Sequence, residues 1–63
     1  MKYKIGDEVY YEVVTWYGQN RNVYQSFTGV IVDIKNDHYV IESNQIWVPR
    51  HYVRECDVQG KVQ

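Results

Sequence analysis

Two histidines, His38 and His51, and one cysteine, Cys56, are the side chains of this 63-residue chain best fitted to ligate a metal or attack a substrate. Zinc sites gather such residues in close pairs along the chain, as Cys-x₂-Cys or His-x₃-His. Here the three stand singly, and Asp37 beside His38 lies in a turn sequence. Ser26, Thr28 and Ser43 have no neighbouring base that would activate a hydroxyl. Four glycines stand singly at 6, 18, 29 and 60, so no glycine-rich loop is available to cradle a phosphate. His38 reads as a solvated hairpin residue, His51 as part of a turn beside Tyr52, and Cys56 as a small apolar side chain at a strand end. The expectation is a protein with no catalytic residues, no metal and no cofactor.

What remains for function is the aromatic content. Seven tyrosines and two tryptophans suit half-buried strands, where the ring packs and the polar end reaches water. The same residues suit binding surfaces. Seven basic and eight acidic residues leave a formal charge of −1. The cations Lys2, Lys4, Arg21, Lys35, Arg50, Arg54 and Lys61 are scattered along the chain. Affinity for nucleic acid rests on clustered phosphate neutralisation, which this balance does not favour. One cysteine excludes an internal disulfide, and small secreted domains usually carry several, so a cytoplasmic setting is expected. No apolar run approaches the roughly 20 residues of a membrane span.

The elements that must position these residues are strands. No window repeats apolar residues at helical spacing behind a cap, whereas β-branched and aromatic runs alternate with Gly, Asn and Asp. Five short strands are predicted: 8–14, 29–35, 38–42, 45–48 and 52–56. A connection from Thr15 to Thr28 joins the first two, either as a long loop or as an extended hairpin. The domain then covers 1–57, with 58–63 a flexible tail.

Two tight turns set the register. Asn36-Asp37 forms a two-residue hairpin loop, placing Lys35 opposite His38, Ile34 opposite Tyr39, Asp33 opposite Val40 and Val32 opposite Ile41. Ser43-Asn44 forms a second, placing Ile41 opposite Ile46, Val40 opposite Trp47 and Tyr39 opposite Val48. Strict alternation gives a core face of Val30, Val32, Ile34, Tyr39, Ile41, Ile46 and Val48. The other face holds Asp33, Lys35, His38, Glu42 and Gln45 around an apolar cluster of Ile31, Val40 and Trp47, which is either covered by the long connection folding back or left open to a partner.

In this order the residues resemble the SH3-like barrel superfold. Lys4-Ile5-Gly6-Asp7-Glu8-Val9 is similar to the opening strand of Tudor, KOW and bacterial SH3-like domains. Phe27 to Ile34 followed by Tyr39-Val40-Ile41-Glu42 resembles their central hairpin, and Trp47 to Val53 their strand, 3₁₀ turn and last strand. The resemblance implies a small, partly open five-stranded barrel with a long loop between strands 1 and 2. It also implies several alternative uses. Peptide-binding SH3 domains take proline-rich ligands on a tyrosine-rich groove; Tudor domains cage methylated cations with rings, for which Trp16, Tyr17, Tyr24 and Tyr39 are available. KOW domains contact RNA or ribosomal proteins, for which Lys35, Arg50 and Arg54 are available. Gln45-Ile46-Trp47 resembles the pore strand of type II dihydrofolate reductases, but Trp replaces their tyrosine and their lysines are missing.

The chain is therefore expected to be a protein-binding or adaptor module, of the size found among phage and plasmid accessory or inhibitor proteins. A nucleic-acid-binding module is the alternative. The partner site is placed on Trp16, Tyr17, Tyr24, Ile31, Val40, Trp47 and Tyr52, with a homodimer through the Trp47 face as another use of the same surface.

Overall fold

The computed structural model describes residues 1–18, 21–44 and 50–62, with backbone alone at 15–17. The predicted strand 45–48, and with it Trp47 and Pro49, lies outside the described residues. The fold is all-β: five antiparallel strands in one sheet, order β4-β3-β2-β1-β5, not closed into a barrel. The strands are β1 (Glu8–Tyr17), β2 (Asn22–Lys35), β3 (His38–Ser43), β4 (Arg50–Arg54) and β5 (Val58–Lys61), with a 3₁₀ turn at Glu55–Asp57.

The connection between the first two predicted strands is not a loop. β1 and β2 run on as one long hairpin, paired from Glu8↔Val30 out to Tyr17↔Asn22, with an irregularity between Val14 and Trp16. Gly18 N–H donates to the Arg21 carbonyl at 2.9 Å and closes the end of the hairpin. Of the two expected forms of this segment, the extended hairpin is the one found: its aromatic and β-branched residues favour strands and outweigh its few Gly and Asn.

The Asn36-Asp37 turn is as expected: both residues have positive φ, 50° and 62°, and Lys35↔His38, Ile34↔Tyr39 and Asp33↔Val40 pair. The register then changes. Ile31, not Val32, stands opposite Ile41, because Val32 is the extra residue of a β-bulge. A bulge shifts alternation by one, so the amino-terminal half of β2 presents the opposite face from that predicted. Ile31 is fully buried, while Val30 is 36% exposed and Val32 half-buried. The bulge is held from outside the hairpin. Gly6 N–H donates to the Ile31 carbonyl at 2.8 Å, and Ile31 N–H donates to the Asp7 carbonyl at 2.9 Å.

The second predicted turn is also corrected. β3 continues through Ser43, which pairs with Gly29, and Asn44 is tied to β2 by its N–H and its side-chain amide, on Thr28 O and Oγ1. The partner of β3 is β4, so Tyr39 faces Val53, Val40 faces Tyr52 and Ile41 faces His51. His51, expected in a turn, lies within β4, and a 3₁₀ turn stands at Glu55–Asp57. Residues 58–61 are no flexible tail: they form β5 on the free side of β1, with Val58 buried and Val62 N–H on the Glu8 carbonyl at 2.9 Å.

Val9, Tyr11, Phe27, Ile31, Tyr39, Ile41, Val53 and Val58 form the core, capped by Tyr3. Tyr39 Oη accepts the Tyr3 N–H at 2.9 Å, and the two rings meet edge to face. Gly29 must be glycine: a Cβ there would stand 2.5 Å from the Glu42 carbonyl.

Candidate functional site

β3 and β4 alternate, so their outward residues form two parallel rows: His38, Val40 and Glu42 beside Arg54, Tyr52 and Arg50. After the bulge, Asp33 and Lys35 of β2 join the same surface. Val40 lies half-buried at its centre, and Tyr52 stands over it 62% exposed. The His38 ring meets Tyr52 edge to face at 6.1 Å. Two clefts share Lys35 and Tyr52. One, of about 360 Å³, runs between Val32, Asp33, Val40, Arg50 and His51; the other, of about 300 Å³, reaches Asn36 and His38.

Each cation on this surface has a carboxylate near it. Lys35 lies 3.8 Å from Asp33, Arg50 4.0 Å from Glu42, and Arg54 3.1 Å from Asp57. All but the half-buried Asp57 are well exposed, so the pairs contribute little to stability. They do leave the surface close to neutral.

A third cleft, of about 470 Å³, lies where the sheet fails to close. Glu12, Val13, Val14, Asn22 and Tyr24 of the long hairpin line one side, with Tyr52, Val53, Arg54 and Asp57 on the other. Tyr24 is 51% exposed here. β1 and β4 are also joined by side chains. Tyr11 Oη lies 2.7 Å from His51 Nδ1, and Phe27 packs on the same imidazole with centroids 5.1 Å apart. Burial raises the Tyr11 hydroxyl above the usual tyrosine value, against a side-chain hydrogen bond with Ser43 that lowers it. Burial also lowers His51. Both groups are therefore neutral at pH 7.

Of the predicted site residues, the structure brings Val40 and Tyr52 into direct cross-strand contact and sets Tyr24 on the neighbouring cleft. Ile31 is corrected: it is a core residue and belongs to no surface. Trp16 and Tyr17 continue β1 opposite Val23 and Asn22, and Trp47 lies outside the described residues. Residues missed as site members are Lys35, His38 and Arg50 around Tyr52, although the Asn36-Asp37 register already put the first two on this face. Tyr10 was missed too. It is exposed on β1 beside Ser26, Phe27 and Thr28, around a hollow of about 290 Å³. Cys56, expected at a strand end as an apolar side chain, is exposed in the 3₁₀ turn. Among the described residues no group of three or more His, Cys, Asp and Glu is placed to hold a metal ion. No described helix is long and apolar enough to cross a membrane. Family models, curated proteins and solved structures all fail to yield a match to this chain.

Proposed function

We propose that this chain is a protein-binding module of the SH3-like type, and that it binds through the surface centred on Tyr52 and Val40. The strand order, the long β1–β2 hairpin and the 3₁₀ turn before the last strand support the SH3-like assignment. One observation carries the binding role: a large aromatic side chain, 62% exposed, rooted on an apolar neighbour and ringed by arginine, lysine and histidine. Interface hot spots are built this way, from an aromatic or Arg anchor inside a polar rim.

The same ring among Lys35, Arg50 and Arg54 would suit a base-stacking platform. The carboxylates of Asp33, Glu42 and Asp57 beside those cations argue against it, because a phosphate would meet them at once.

The test is retention of proteins from a nuclease-treated extract on immobilised wild type and on Tyr52→Ala, alongside elution from heparin across a salt gradient. The expected result is a protein retained by wild type and lost with Tyr52→Ala, at an unchanged melting midpoint. Tight heparin binding with a steep salt dependence, unaccompanied by such a protein, would overturn the reading.

A further inference from the structure

The backbone of β4 says what kind of contact this surface makes. The Lys35–His38 pair flanking a two-residue turn exchanges backbone hydrogen bonds, and in an antiparallel ladder such pairs alternate. His38, Val40 and Glu42 therefore turn their N–H and C=O toward β2, while Tyr39 and Ile41 turn theirs toward β4. The bulge agrees, since Ile31, opposite Ile41, spends its own N–H and C=O on Asp7 and Gly6. On β4 it follows that His51 and Val53 bond to β3, and that Arg50, Tyr52 and Arg54 direct theirs away from the sheet. Among the described residues no strand pairs on that side, and the 470 Å³ cleft runs along it.

A row of outward N–H and C=O groups is complementary to one thing above all, another extended backbone. A second copy of this chain fits poorly. The twofold register that pairs all of β4 sets Tyr52 on Tyr52 and puts Arg50 opposite Arg54 at both ends, and like charges directly opposite are destabilising. We propose that the edge of β4 takes up one extended segment of a different protein as an added strand. An apolar side chain of that segment lies against Tyr52, and side chains carrying acceptor oxygens lie opposite Arg50 and Arg54. The proposal rests on reading the Tyr52 surface as a protein-binding one, and it adds that the main chain is what is read.

A single methyl group tests it. The chain is assembled by joining synthetic 1–55 to 56–63 at Cys56, with the Tyr52 backbone nitrogen methylated. The side chain is kept and the bonds to β3 are untouched. The probes are peptides selected from a random displayed library for binding to the immobilised wild-type chain. The expected result is a loss of about tenfold or more in affinity, as for one buried hydrogen bond removed, at an unchanged melting midpoint. The selected peptides should carry Asp, Glu, Asn or Gln two positions either side of an apolar residue. Methylation of the Arg54 nitrogen is the second variant should the first disturb folding. If Tyr52→Ala abolishes binding and both methylated chains bind as wild type, strand addition is wrong while the Tyr52 surface stands. If neither change matters, or no peptide is selected, both fall. Sedimentation showing a dimer that methylation dissociates would make the occupant a second copy and overturn the proposal.

Discussion

At the scale of single residues, the Tyr11–His51 contact is the most informative, because it links two strands that share no backbone pairing. A histidine held neutral by burial binds fewer protons in the folded state than in the unfolded one. Its folded value lies below the ordinary 6.5, so its contribution is fully present above pH 6.5 and is lost as pH falls from there through the folded value. The melting midpoint of wild type should decline across that range. In His51→Phe the decline should be flattened, since the ring packing on Tyr11 and Phe27 is kept and the titration removed. An equal decline in both proteins would place the acid sensitivity elsewhere. Neither the partner of His51 nor its neutrality was legible in the sequence, where it read as a turn residue; contact partners forty positions apart leave no local signal.

At the scale of elements, the bulge at Val32 decides which half of β2 faces inward. Ile31→Ala should cost about 2–5 kcal/mol, through lost burial and the cavity left behind, and Val32→Ala about 1 kcal/mol or less. The reverse ranking in chemical denaturation would restore unbroken alternation. Gly29→Ala should also destabilise, by roughly 1–3 kcal/mol, as its methyl would press on the Glu42 carbonyl. The hairpin at Asn36-Asp37 was readable because two residues that tolerate positive φ sit between alternating runs, and it correctly delivered Val40 to the outer face. The bulge was not readable. It is stabilised by Gly6 and Asp7, about 25 positions earlier in the segment leading into β1, and a run of Val-Ile-Val fits either register equally well. The same limit separated Val40 from its true neighbour: with Ser43-Asn44 taken as a turn, Trp47 took the place that Tyr52 holds.

At the scale of the whole molecule, the sheet is a curl held open on one side. β5 covers the first part of β1, the 3₁₀ turn carries the chain across, and β4 stops short of the distal hairpin. Val58 fills the core from the last strand. Deleting residues 58–63 should therefore cost about 3 kcal/mol or more, from one buried valine and the ladder bonds lost with it. In a domain of this size that is enough to abolish a cooperative melt. A truncated chain with an unaltered melt would return those residues to the status of a tail. The open side also carries the proposed binding, since the surface of Tyr52 and the edge of β4 that no described strand pairs adjoin the same gap. The measurement that bears on it most directly is the affinity of Tyr52→Ala, relative to wild type, for the protein that wild type retains, taken with a thermal melt of both. A loss of about 2 kcal/mol or more, as for an interface hot spot, at an unchanged midpoint is the predicted result. Undiminished affinity in the folded variant would contradict it.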